Sequence, residues 1–334
     1  MKRVIIIIIV ATMLFCSCQN NIERRVSFVG AENSGNQVLI DWDLKKNTVN
    51  IEEVDEVEAA RISKMLYWDN VQEIEIENKQ ITITSKYDGE KVSETIKTSN
   101  NDTIIFGYNS ILVSSVNKND SSQEKVTIYA NGKTNLVSID VEDDIQDKPI
   151  AAIHYERTDE TISIISSDFE NSKLVNIELN SKGEKVDTHF IDGPVYYNEH
   201  SKAMPYPLFP QESLFIDKTM YFLFEGVHVY SINIETKEFN ECRVINEVVN
   251  SLIKRHSEQG LSGVYIDFLF RHEEILFLKE SYPEQQVEYI LAFFNDEFLG
   301  AISMHDNKLF TLNDQYEENL VKNDFNAKIV GILN

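Results

Sequence analysis

The stretch VTIYANGKTNLVSIDV, from Val126, alternates apolar and polar residues on both sides of a short polar turn. Such a period of two places one row of side chains on each face of a strand, and two such rows around a turn predict an antiparallel hairpin. The same pattern recurs as VLIDWDLKKNTVNIEEV from Val38, ITITSKYDGEKVSETI from Ile81, LVNIELNSKGEKVDTHFI from Leu174, HVYSINIETKEFNECRVI from His228, YILAFFNDEFLGAISM from Tyr289 and NLVKNDFNAKIVGIL from Asn319. Asp88-Gly89, Asn131-Gly132 and Lys182-Gly183 supply the positive φ that tight hairpins need. Two further strands are predicted ahead of most hairpins: 104–108 and 111–116, 151–155 and 161–166, 214–216 and 220–224, 264–270 and 274–278.

Four antiparallel strands recurring at intervals of roughly 50 residues describe the blade of a β-propeller, in which small sheets pack radially and leave short protected edges. The fold class predicted is therefore all-β: a propeller of six or seven mostly four-stranded antiparallel blades. Seven hairpins imply seven blades, whereas pairing of the two chain ends into one blade gives six.

The amino terminus departs from this pattern. In MKRVIIIIIVATMLFCSCQNN a basic pair precedes a thirteen-residue run, Val4 to Cys16, whose one clearly polar member is Thr12. That is the layout of a secretory signal, and it is shorter than the roughly 20 residues of a spanning helix. Phe15-Cys16-Ser17-Cys18 resembles a bacterial lipoprotein signal, with Ser17 as the small residue before the cysteine and Phe15 in place of the usual leucine. The resemblance implies a signal peptide over 1–17, a diacylglycerol on Cys18, a short tether over 18–25 and one propeller domain over 26–334. The alternative is an ordinary secreted protein cut nearby. Two acyl chains would contribute on the order of 20 kcal/mol of membrane attachment at about 0.8 kcal/mol per methylene. Together, the FCSC segment and the repeated strands resemble the TolB-like or six-bladed envelope lipoproteins of bacteria. The Asp-Gly and Ser-Asp signatures of TolB itself are sparse here, so no partner is carried over. The implied location is the cell envelope, outside the cytoplasm, at the outer membrane or facing the periplasm.

Charge narrows the partners. The chain has 31 basic and 55 acidic side chains, a net charge of −24. Without Lys2 and Arg3 the basic total falls to 29 and the net charge to −26. Nucleic acid is not expected, because no basic footprint is available to displace counterions, and an acidic surface is repelled by anionic lipid, which leaves the Cys18 lipid as the contact with the bilayer. After Cys18 the one remaining cysteine is Cys242, in a strand-like stretch, Glu238 to Ile245, where a buried inert thiol is expected.

Connections alternate between the two ends of a blade, so loops leaving strand four share an end with loops joining strands two and three. Three elaborated segments fall on that end: 193–211, 246–263 and 281–286. The first holds four of the six prolines together with Tyr196, Tyr197, His200, Tyr206 and Phe209. Its tyrosines offer contact area with a polar tip, or alternatively fold back as a cap. In the second, Val248, Val249, Leu252 and Ile253 predict the apolar stripe of a short helix, with Lys254, Arg255, His256 and Glu258 pointing elsewhere. Arg255 and His256 are candidates to meet a carboxylate, with Phe209 and Tyr282 as walls of the same groove.

No His-Glu-x-x-His, Cys-x-x-Cys, Gly-x-Ser-x-Gly or phosphate-binding loop occurs, and the seven histidines show no metal-ligand spacing. No catalytic residue, metal ligand or cofactor is assigned beyond the covalent lipid; calcium at Glu142-Asp143-Asp144 with Asp147 has no motif behind it. Two functions remain: a scaffold that binds an envelope protein or glycan through the loop-rich end, or a carbohydrate-active hydrolase using carboxylates at the propeller channel.

Overall fold

The computed structural model describes residues 25–32, 36–54, 71–77, 79–87, 90–100, 102–116, 124–133, 135–141, 150–168, 171, 173–193, 195–197, 203–205, 213–224, 227–258, 263–272, 274–313 and 315–332. Cys18, the signal, the acidic run at 142–147 and His200, Tyr206 and Phe209 lie outside these residues, as do the side chains of Tyr196 and Tyr197.

The strands β1 (Arg25–Glu32), β2 (Gln37–Asp43) and β3 (Thr48–Val54) belong to the first sheet, and β4 (Val71–Glu77), β5 (Gln80–Tyr87) and β6 (Glu90–Lys97) form the second. The third comprises β7 (Asp102–Gly107), β8 (Ser110–Val116), β9 (Glu124–Asn131) and β10 (Leu136–Asp140), and the fourth β11 (Ile150–Glu156), β12 (Thr161–Asp168), β13 (Lys173–Leu179) and β14 (Lys185–Ile191). A two-stranded ribbon, β15 (Val195–Tyr197) with β16 (Ala203–Pro205), precedes the fifth sheet of β17 (Ser213–Ile216), β18 (Thr219–Phe224), β19 (His228–Asn233) and β20 (Phe239–Glu241). Helix α1 (Arg243–Ser257) leads to the sixth sheet, β21 (Tyr265–His272), β22 (Ile275–Tyr282), β23 (Val287–Phe294), β24 (Glu297–His305), β25 (Lys308–Leu312) and β26 (Glu318–Asn323). The last strand, β27 (Ala327–Ile332), pairs antiparallel with β1, from Phe28 opposite Ile332 to Glu32 opposite Ala327.

These six sheets are the blades of a six-bladed β-propeller. Burial fixes their orientation about the axis. The first strands of blades 4 and 5 are covered along their length, β17 completely and β11 at all but its ends. The last strands β3, β10, β20 and β26 are largely exposed. Buried apolar clusters then join neighbouring blades: 2 with 3, 3 with 4, 4 with 5, 5 with 6, and 6 with 1. The core is thus a ring of inter-blade seams, each built from the inward-facing residues of two alternating patterns. Near the axis, blades 3 and 4 touch backbone to backbone: the Tyr108 amide donates to the Ile153 carbonyl and the Tyr155 amide to the Tyr108 carbonyl, both at 2.9 Å. Gly107 permits that approach, since a Cβ there would stand 2.1 Å from the Ile153 oxygen.

Six of the seven expected hairpins form. The segment from Asn319 does not: β26 pairs with β25 and β27 crosses to β1, so the chain ends share blade 1 and the count is six. The strand-like stretch around Cys242 ends at Glu241, because α1 begins one residue after the cysteine, which occupies the position before the helix. Cys242 is buried, and burial pushes its thiol up to about 12, as expected of an inert thiol.

Candidate functional site

Strand alternation places three elaborated connections at one end of the ring: the β14 to β17 connection with its β15–β16 ribbon, α1 between β20 and β21, and the 3-10 turn Pro283–Gln285 between β22 and β23. The site at this end is organised by α1. Its first turn carries no acidic residue of its own. Asp296, in the β23–β24 turn, takes that role: its carboxylate accepts from the amides of Val244 at 3.2 Å and Ile245 at 2.9 Å, filling donors that a helix start leaves open. Asn246 then fastens the helix to β19, accepting from the Val229 amide at 2.7 Å and donating to its carbonyl at 3.2 Å.

Ile245, Val248, Val249 and Leu252 bury the apolar stripe against blades 5 and 6. Ile253, expected in that stripe, is partly buried. His256 turns inward, contrary to the expectation that it points away: it follows Leu252 by four positions, the spacing that keeps a helix face, and is only 5% exposed. Tyr282 is also buried, at 4%. These two side chains underlie the face and do not line its surface. Lys254 is exposed and Arg255 half-buried, with a guanidinium nitrogen donating to the Tyr316 carbonyl. The last turn therefore shows a basic spot on an otherwise acidic molecule, at the helix end where positive charge is favoured.

Beneath it lies a buried polar group that no sequence motif marks. The His256 ring packs against Tyr282 at a 32° tilt, with centroids 3.9 Å apart, and its Nε2 is 2.8 Å from the Tyr289 hydroxyl. Tyr282 donates its hydroxyl proton to Oε1 of Glu280. Glu280 stands directly across from Tyr289 in the β22–β23 ladder, is fully buried, and its Oε2 has no hydrogen-bond partner among the described residues. Burial raises the Glu280 carboxyl to about 8, so it holds its proton at neutral pH, although the Tyr282 hydrogen bond acts in the opposite direction. Burial likewise raises the pKa of both tyrosines.

This carboxyl sits on the second strand of blade 6, not at the channel. Two acids on inner strands, Asp102 of β7 and Glu156 of β11, have the opposite tendency. Burial would raise each, but hydrogen bonds from Ser99 and Ser115, and from Thr158 with the nearby charges of His154 and Lys218, outweigh it and lower both. His154, also on β11, is stacked on Tyr108 and packs at a tilt against Phe215, and burial drops it to about 4. Metal-type donors that gather among the described residues, Glu178, Asp187 and His189, lie on β13 and β14 at the other end.

No family model and no curated protein matches the chain. Among solved structures it is similar to a protein from Lactobacillus plantarum at 10% identity and a TM-score of 0.33, covering 94% of this chain and 100% of that one. The β-propeller domain of the Trilobed protease from Pyrococcus furiosus matches at 8% identity and 0.33, covering 92% and 85%. Apo AztD from Citrobacter koseri matches at 7% and 0.36, covering 92% and 97%. Likeness at this level bears on no activity, and the architecture rests on the strand pairing.

Proposed function

We propose that the chain is a lipid-anchored propeller of the cell envelope that binds an envelope protein or a glycan through the end carrying α1. One observation carries this reading: the ribbon, the helix and the 3-10 turn all emerge at the same end of the ring. A propeller supplies rigid strands, and recognition is carried on the connections they position. Lys254 and Arg255 add a positive spot to that end, suited to a carboxylate of the partner. The Tyr196, Tyr197, His200, Tyr206 and Phe209 segment supplies the aromatic part of the binding surface, while His256 and Tyr282 support the helix from below. The Cys18 lipid holds the ring to the bilayer, outside the cytoplasm. Among the described residues no helix is long and apolar enough to cross a membrane.

Recovery of envelope partners on immobilised protein, compared between the natural chain and one with Tyr196, Tyr206 and Phe209 changed to Ala together, tests the face. Reduced recovery of a specific partner supports it; unchanged recovery refutes it. Labelling cells with radioactive fatty acid tests the anchor separately: Cys18→Ala is expected to lose the label, and equal labelling rules the site out.

A further inference from the structure

Four polar side chains meet on one face of the β13–β14 hairpin. The register sets Asn176 across from His189 and Glu178 across from Asp187, and directly opposed residues of an antiparallel pair project to the same side. That side faces blade 5, where Lys237 bonds to Glu178. His189 Nε2 is 2.9 Å from Asp187 Oδ2 and 3.7 Å from Glu178 Oε1, and the three donor atoms lie within 4.8 Å of one another. Two ligands bound at about 2.0–2.1 Å to a tetrahedral ion stand roughly 3.3 Å apart, a value between the two observed separations.

Asn176 adds an independent sign. It is fully buried, yet its Oδ1 has no hydrogen-bond partner among the described residues, and its Nδ2 reaches Glu178 Oε1 only at 3.4 Å. An unpaired buried carbonyl oxygen is costly. A half-turn of the amide exchanges its two ends and brings the oxygen toward the carboxylate, an arrangement favoured when a cation lies between them.

The geometry points to a divalent transition-metal site formed by Glu178, Asp187, His189 and Asn176, with Zn²⁺ as the ion that best suits one imidazole and three oxygens. The imidazole disfavours calcium and magnesium, which prefer oxygen alone. His189 and Asp187 are partly exposed, so the ion has direct access from solvent. Lys237 is the built-in competitor. Its ammonium pairs with Glu178 and donates to the Ile234 carbonyl at 2.7 Å, neutralising part of the charge that the ion would neutralise.

Calorimetric titration of the tag-free, chelator-treated protein with Zn²⁺ tests the site, with circular dichroism on each variant to verify the fold. One equivalent is expected to bind, His189→Gln and Asp187→Asn are each expected to weaken it at least tenfold, and Lys237→Met is expected to tighten it severalfold. Absent binding, binding that survives the combined His189→Gln and Asp187→Asn change, or tighter binding of Ca²⁺ than of Zn²⁺ overturns the assignment.

Discussion

Replacing Glu280 with glutamine keeps the shape of the side chain and removes its ionisation. In the folded protein the carboxyl titrates at about 8, against an ordinary value of 4.5. The native state therefore binds the proton more tightly than the unfolded chain, and unfolding free energy falls as pH rises between these values. Below 4.5 both states are protonated and no penalty exists; above 8 the native state bears the whole cost of an ionised, half-partnered carboxylate. At 1.36 kcal/mol per unit, the 3.5-unit separation gives a ceiling of about 5 kcal/mol. Glu280→Gln is expected to match the natural protein within about 1 kcal/mol at pH 4.5, the scale of one altered hydrogen bond to Tyr282, and to exceed it by several kcal/mol at pH 8.5. Titration of the other groups cancels in the difference, provided the fold is unchanged. Urea unfolding of both proteins across pH 4.5–9 measures it. Parallel stability profiles would refute the reasoning, because they would mean that Glu280 ionises as readily in the fold as outside it.

Two further predictions concern the start of α1. Asp296→Ala removes the acceptor of the Val244 and Ile245 amides and is expected to cost about 1–2 kcal/mol in urea unfolding; an unchanged midpoint would show that water replaces it without loss. The Cys242 thiol, 3% exposed and raised to about 12, is expected to resist a disulfide reagent at pH 8 in a chain starting after Cys18 and to react fully in urea, while rapid reaction of the folded protein would contradict its burial.

Much of the ring is legible as alternation, because each blade seam buries every second residue of β8, β9, β12, β13, β18 or β23. The strands missed are those whose local signals are weak. In β4 the alternation is carried by Ile74 and Ile76 against glutamates, and its turn places Lys79, not glycine or asparagine, at positive φ. The turn into β25 uses Asp306 and Asn307, both at positive φ, a pair that fits a tight hairpin but carries no glycine to mark it. The segment from Asn319 looks locally like every other hairpin, and only a pairing with the opposite end of the chain distinguishes it. At the site, the four-residue step from Leu252 puts His256 on the buried stripe, whereas its polar character suggests the opposite face. Glu280 had a visible signal: in ILFLKESY it shares the face of Leu276, Leu278 and Tyr282, an acid at an apolar position. The association of His189 with Glu178 is set by strand register, which spacing along the chain does not display.

The pairing of β27 with β1 has a consequence for how the protein is made. Blades 2 to 6 each consist of consecutive strands and can assemble as the chain emerges, whereas blade 1 stays incomplete until residues 327–332, which follow every other described strand, have been made. Until then the edge of β1 is open to any other extended segment. A chain without residues 327–332 would leave that edge of β1 unpaired and blade 1 with three strands, β1 to β3.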